Sequence, residues 1–281
     1  MKPDSEPTAG APRPDPIERA HLKDPRDVSH VMSRYPADPE FAGLLQRFWI
    51  PVWSVPPGQE APQQVLQYPV ALIVVSPEYA RFYGVVSGLS TTTLAGTGWA
   101  VGVMCEPAAG ALVARGSMAG YTDRYVDVGA VLGAAGARLT ERVRAALAPD
   151  PADPGGHAAA IEAFGEALRP FLPVDEEGEL VNRLVDFVES RSDVTRVAQV
   201  CAEFDLSERA LQRLVQRRLG LTPKWLVQRR RLQEAAERLR TGGTPLGEVA
   251  AVLGYADQPH FIRDFATVTS MTPGQFAARY R

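Results

Sequence analysis

Side chains able to pair with nucleic-acid bases recur at matched places in the last third of the chain. In Glu208–Arg218, Leu211, Leu214 and Val215 alternate with Arg209, Gln212, Arg213, Gln216 and Arg217. Wound as a helix, that spacing turns the apolar three inward and the polar set outward. At an offset of 50 residues, Phe261, Ile262 and Phe265 turn inward, and Gln258, His260, Arg263 and Asp264 can face out. Arginine pairs bidentately with guanine and glutamine with adenine in the major groove. Enzymatic chemistry finds less support. The chain has no HExxH, GxSxG, Walker loop or dinucleotide fingerprint. Its four histidines, His21, His30, His157 and His260, form no metal pattern with cysteine, so no metal or cofactor is expected. Cys105, beside Glu106-Pro107, could be a reactive thiol of the kind that repairs alkylated DNA. It has no flanking base to stabilise a thiolate, and that reading is the weaker one.

The elements that would position the two polar sets are diverged copies of one unit. Val200–Asp205 answers to Val249–Gly254 at an offset of 49, and one extra residue in the second copy makes it 50 from Leu211/Phe261 through Gly220-Leu221-Thr222-Pro223/Ser270-Met271-Thr272-Pro273. Each copy reads as a short supporting helix (Thr195–Glu203, Leu246–Leu253), a tight turn and a second helix, the parts of a helix-turn-helix. Ser207 and Asp257 are suited to cap the second helices. Glu208 suits the first turn of one, and Pro259 falls near the first helical position of the other. Such a turn often needs positive φ, which Gly254 supplies freely and Asp205 tolerates. Cys201 and Ala250 share a slot where helices approach closely, so Cys201 reads as a small buried group. Between the copies, Pro223–Arg240 carries an apolar stripe of Trp225, Leu232, Ala235, Ala236 and Leu239, and Thr241-Gly242-Gly243 stops it. A helix of that length spans roughly 27 Å, a fair match to the ~34 Å between successive major-groove segments on one face of DNA.

The stretches LSERALQRLVQRRLGLTPKWLVQRRRLQEA (206–235) and LGEVAAVLGYADQPHFIRDFATVTSMTPGQF (246–276) closely resemble the DNA-binding domain of the AraC/XylS family of transcriptional regulators. RFYGVVSG (81–88), TLAGTGWAVGVMCEP (93–107) and YTDRYVDV (121–128) look, more weakly, like the N-terminal domain of actinobacterial members. Asp205 stands where the family usually has Gly. The resemblance implies base reading by Arg209, Gln212 and Arg213 in the first copy and by Gln258, His260 and Arg263 in the second. For Arg263, a buried ion pair with acidic neighbours is the competing role, and His260 could equally face phosphate or solvent. Helix N-termini and flanking cations point to Thr195, Arg196, Ser207, Arg217, Lys224, Arg230 and Thr272 as phosphate contacts; family analogy makes Arg231 a brace of the fold.

Composition agrees with a two-part chain. Residues 191–281 carry 15 Lys+Arg against 9 Asp+Glu (+6), whereas 1–190 carry 15 against 24 (−9). A basic end on an acidic body suits nucleic-acid binding through one domain. The first forty residues hold eight prolines and few large apolar groups, which reads as an extended or disordered tail, 1–35. From Phe41 to Asp127, the pieces Leu66–Val75, Ala80–Ser87, Gly98–Cys105 and Ala111–Ala114 read as closely spaced strands. Val128–Ala148 and His157–Leu168 read as helices. The expected fold is α+β: a β-rich, barrel- or sandwich-like domain with helices (36–170), a linker (171–178), and an all-α domain of two helix-turn-helix units joined by a linker helix (179–281). Trp49, Trp53, Tyr68, Phe82, Tyr83 and Trp99 could line an effector pocket or fill an ordinary core. The N-terminal domain is expected to sense a small molecule or mediate homodimerisation; the partners are double-stranded DNA and, for an activator, RNA polymerase. A non-sensing accessory factor of low sequence specificity is the alternative. No stretch suits a membrane span or a signal peptide, and two cysteines form no disulfide framework, so a cytoplasmic setting is expected.

Overall fold

The computed structural model describes Leu22, residues 27–66 and residues 68–280. Of the tail expected at 1–35, residues 1–21 and 23–26 lie outside the described residues. The remainder departs from that expectation: β1 (His30–Pro36) pairs along its whole length with β2 (Leu45–Ser54), from His30 opposite Trp53 to Pro36 opposite Arg47. Alternation in HVMSRYP is what earns the strand its place, despite the surrounding prolines.

The remaining strands are β3 (Ala61–Leu66), β4 (Leu72–Val75), β5 (Ala80–Tyr83), β6 (Leu89–Leu94), β7 (Thr97–Trp99), β8 (Val101–Cys105) and β9 (Tyr125–Asp127). Among the described residues they form a seven-stranded antiparallel sheet, ordered β1-β2-β8-β4-β5-β9 with β7 also on β2, and a separate hairpin of β3 and β6. Period-two alternation gives the large sheet two different faces. Phe48, Ile50, Ile73, Val75, Phe82, Val101, Val103 and Cys105 are buried in the domain core with Phe164 and Leu168. The opposite face, bearing Trp49, Trp53, Leu72, Val74 and Met104, looks into a cavity.

The segment Ala111–Ala114, expected as a strand, lies instead in a short helix, α1 (Ala109–Val113). Its small residues are buried and Gly110 packs against Ala71 and Met118, a close approach that suits a helix turn as well as a strand. The helix expected over Val128–Ala148 is two, α2 (Val128–Leu132) and α3 (Ala134–Leu147), divided at Gly133 with φ 57°. Then come α4 (Pro154–Leu168) and α5 (Glu176–Ser190), the latter capped by Asp175, whose carboxylate accepts from Gly178 N at 2.9 Å.

The last part is all helical: α6 (Val197–Glu203), α7 (Glu208–Leu219), α8 (Pro223–Thr241), α9 (Leu246–Val252), α10 (Gln258–Thr269) and α11 (Pro273–Tyr280). It has two apolar clusters. One gathers α5, α6 and α7 around Leu184, Val200, Leu211 and Val215; the other gathers α8 to α11 around Leu232, Leu253, Phe261, Phe265 and Phe276. The long helix α8 belongs to both, contributing Leu226 and Val227 to the first cluster and Leu232 to Leu239 to the second.

Candidate nucleic-acid interface and effector cavity

The two helical units are built by the same local devices. Leu206 N donates to Cys201 O at 3.0 Å in the first turn, and Tyr255 N donates to Ala250 O at 2.9 Å in the second. Asp205 and Gly254 both take positive φ, 49° and 73°, so Asp205 holds the left-handed geometry that the missing glycine would have supplied. Ser207 Oγ accepts from Ala210 N at 3.2 Å, and Asp257 Oδ1 accepts from His260 N at 2.7 Å. Both second helices end on a left-handed residue, Gly220 and Ser270. Thr222 and Thr272 then cap the helices that follow. The slot shared by Cys201 and Ala250 is fully buried only at Ala250; Cys201 is half-buried.

These devices hold Arg209, Gln212 and Arg213 on the exposed side of α7 and Gln258, His260 and Arg263 on the exposed side of α10. Arg209, Arg213 and Arg263 make no ion pair among the described residues, so the brace considered for Arg263 is not formed there. His260 leans edge-on to Tyr255, ring centroids 5.3 Å apart, with its Nε2 3.7 Å from Asp264. Helix α8, 19 residues long, separates the two units by roughly 28 Å at 1.5 Å per residue.

The phosphate candidates divide. Arg196, Lys224 and Thr272 are exposed. Ser207 is exposed with its hydroxyl engaged as the α7 cap. Thr195 is half-buried, its side chain packed against Gly254. Arg217 is exposed but tied to Glu177. Its neighbour Arg218, buried, binds both Asp175 and Glu177. Arg230 does not fit a phosphate role. It is 5 % exposed, donates to Val194 O at 2.8 Å and pairs with Glu234 at 2.8 Å. Desolvation inside the fold holds its guanidinium below the usual arginine range. The Glu234 partner at i+4 was legible in the sequence. Arg231 stacks on the Tyr255 ring at 3.8 Å, bracing the second unit, and burial raises the Tyr255 hydroxyl to about 12.

The cavity beneath the β3–β6 hairpin has a volume of about 500 Å³, within the range of small-molecule sites. Trp49, Trp53, Tyr68 and Tyr83 line it, whereas Trp99 does not: it is buried in the core beside Val101 and Val103, whose period-two face it shares. Phe82 is likewise core. Sequence reading missed Met32, Arg34, Arg47, Val65 and Thr92, which also line the cavity. The first two lay in the presumed tail. Cys105 is fully buried, and burial, with Glu106 nearby, pushes its thiol up to about 12, opposite to what a nucleophilic cysteine needs. Among the described residues no cluster of His, Cys, Asp or Glu could hold a metal, and no helix is long and apolar enough to cross a membrane.

Residues 200–279 match the family described as a helix-turn-helix domain, and residues 33–127 match a domain of unknown function (DUF6597). No curated protein matches the chain. Among solved structures, the C-terminal domain of AraT, a response regulator from Geobacillus stearothermophilus, is 25 % identical, covering 37 % of this chain and 88 % of that one, with a TM-score of 0.33. ToxT from Vibrio cholerae O395 is 13 % identical over 90 % of this chain and 99 % of that one, with a TM-score of 0.37. Unsaturated fatty acid bound ToxT from Vibrio cholerae strain SCE256 is 11 % identical over 90 % and 96 %, also at 0.37.

Proposed function

We propose that this chain, a DNA-binding transcriptional regulator whose residues 200–279 form an AraC-type helix-turn-helix domain, recognises a specific duplex sequence by laying α7 and α10 in two adjacent major-groove segments, and that its N-terminal domain senses a small molecule in the cavity under the β3–β6 hairpin. The observation that carries the DNA-reading part is a division among the domain's arginines. Arg191, Arg217, Arg218, Arg229, Arg230 and Arg238 are each committed to a carboxylate of the chain. Arg209, Arg213 and Arg263 are exposed on the second helices of the two units and carry no such partner among the described residues. Cations left unpaired on a protruding face are suited to an external anion and to guanine edges. Neutral Gln212 and Gln258 beside them suit adenine.

In this reading Arg213 and Arg263 contact bases, Gln212 and Gln258 add a second position in each unit, and Arg196, Lys224 and Thr272 set the register through phosphates. Arg217 remains available only when its pair with Glu177 opens, because a phosphate and that carboxylate compete for one guanidinium. The cavity supports the sensing part by its size and by aromatic walls with scattered polar groups. A salt-titrated competition between genomic promoter fragments and bulk DNA tests the DNA reading. The expected preference for the best fragment is at least ~10³. A ratio near unity at every salt concentration would leave a nonspecific DNA-binding factor instead.

A further inference from the structure

The β3–β6 hairpin has two occupied faces. Gln63 and Val65 of β3, with Ser90, Thr92 and Leu94 of β6, line the cavity. Gln64 and Leu66, the alternate residues of β3, point the other way, into the second helix-turn-helix unit. Leu66 is 2 % exposed within the cluster of Leu232, Leu239 and Phe265, and its carbonyl accepts from Gln233 Nε2 on α8 at 3.1 Å. Gln64 Oε1 accepts from the Tyr280 hydroxyl on α11 at 2.8 Å. Just past β3, Tyr68 lines the cavity and also carries the Arg229 guanidinium of α8 over its ring at 4.2 Å. A two-stranded element holds little stability of its own. Its position is set by what fills the space on either side.

The opposite wall of the cavity carries two indoles, Trp49 and Trp53. Trp49 and Trp53 stand directly across from Gly102 and Gly98 in the strand register. Their indoles occupy the space a side chain would need: a Cβ on Gly102 would lie 2.2 Å from Trp49 Cζ2, and one on Gly98 would lie 2.5 Å from Trp53 Cζ2. With one side of each ring against a glycine, the rings lie along the sheet, and both residues line the cavity. Two aromatic surfaces laid along a wall gain most from a planar, stacking partner.

We propose that the cavity takes a planar aromatic molecule stacked on Trp49 and Trp53, and that the β3–β6 hairpin relays its presence to the second helix-turn-helix unit through Leu66, Gln64 and Tyr68. This rests on the sensing role assigned above and adds the ligand class and the route. A ligand thick enough to press on Val65 and Thr92 displaces the hairpin. The Leu66–Gln233 and Gln64–Tyr280 bonds then shift or break, and the hold on α8 and α11, which position α10, changes with them. Coupling of this kind is a difference in affinity between two arrangements, and it works in both directions.

The test uses the full chain, N-phenylnaphthylamine as a planar aromatic probe, dodecanol as an aliphatic comparator, and a duplex selected from a random pool by the wild-type chain. The naphthylamine is expected to bind, with its emission enhanced and excited by transfer from tryptophan. It is expected to shift the affinity for the duplex by at least about 5-fold. Thr92→Trp, which fills the cavity, is expected to weaken probe binding by at least about 10-fold; Ser90→Phe replaces it if that variant does not fold. The pair Gln233→Met and Tyr280→Phe, which removes in advance the bonds that the probe must shift, is expected to bind the probe as tightly as wild type or more tightly and to lose most of the shift in DNA affinity. If the probe binds and DNA affinity does not move, or moves equally in the double variant, the relay is wrong. If dodecanol shifts DNA affinity and the naphthylamine does not, the planar class is wrong while the sensing role stands. If neither compound shifts DNA affinity, the proposal fails, and the promoter competition still decides the DNA-reading role separately.

Discussion

Trp49 covers Gly102, its partner across β2 and β8, so closely that no side chain larger than hydrogen fits between strand and indole. The glycine therefore determines where the tryptophan lies, and the tryptophan forms part of the cavity wall. Gly102→Val places a branched side chain where ring atoms already sit. Overpacking of this kind costs about 1–3 kcal/mol. The expected result is a lowered urea midpoint with an unchanged slope, together with a changed near-ultraviolet tryptophan signal. An unchanged midpoint and signal would mean that the indole does not rest on the glycine in solution.

Arg213 and Arg230 separate recognition from folding. Arg213 is exposed and has no carboxylate partner among the described residues; Arg230 is buried against Glu234 and Val194 O. Arg213→Ala is expected to leave stability within about 0.5 kcal/mol of wild type and to cost ~1–3 kcal/mol of affinity for the preferred duplex while relaxing one base position. Arg230→Ala leaves Glu234 to Arg238 alone, removes the donor to Val194 O and empties a buried side-chain site, and is expected to cost about 1–3 kcal/mol of folding stability. Thermal denaturation and binding titrations on both variants check this. Equal loss by Arg213→Ala on specific and random DNA would remove it from base reading.

The helix-turn-helix half was legible because duplication states each position twice. Asp205 and Gly254, Ser207 and Asp257, and Gly220 and Ser270 each fill one structural slot, so one copy's chemistry interprets the other's. No second copy interprets the N-terminal half. Arg230, expected at a phosphate, is buried instead; a run of three arginines says nothing about which one faces inward until α8 is packed. Of the two roles open to Trp99, pocket wall or core, its alternation with Val101, Val103 and Cys105 selects the core. His30–Pro36 was lost among prolines, and its strand depends on pairing with β2, a long-range partner that local composition does not reveal.

Cys105 and Cys201 should differ in reactivity. The Cys105 thiol is fully buried and raised to about 12 by that burial, whereas Cys201 is half-buried at the first helix-turn-helix. Thiolate is the reactive form, so at pH 8 Cys105 has almost none and no access for reagent. With a disulfide reagent such as Ellman's, at most one thiol, Cys201, is expected to react in the native chain, and two after denaturation in guanidinium. Reaction of Cys105 in the native Cys201→Ser variant would reverse this order and reopen a chemical role for it.

Asp27 ties the entry of β1 to the hairpin that closes the cavity. Its carboxylate accepts from Ser29 N at 2.8 Å and from Gln63 Nε2 at 2.7 Å, with His30 Nδ1 3.9 Å away. Burial alone would raise this carboxyl, but the hydrogen bonds from Ser29 and Gln63, aided by His30, bring it down to about 2. A carboxyl whose pKa is lower folded than unfolded stabilises the fold fully above its unfolded value, near 4, and that stabilisation fades as pH falls toward about 2. Asp27→Asn keeps the shape, removes the charge and turns one acceptor into a donor facing Ser29 N or Gln63 Nε2. It is expected to destabilise the chain at pH 7 by about 1–3 kcal/mol. The gap from wild type should shrink as pH is lowered from about 4 toward about 2, because wild type then loses the same charge. Chemical denaturation across that range, at constant ionic strength, checks the sign. A gap that stays constant with pH would show that Asp27 acts through shape alone, and a gap that widens in acid would contradict the depressed pKa.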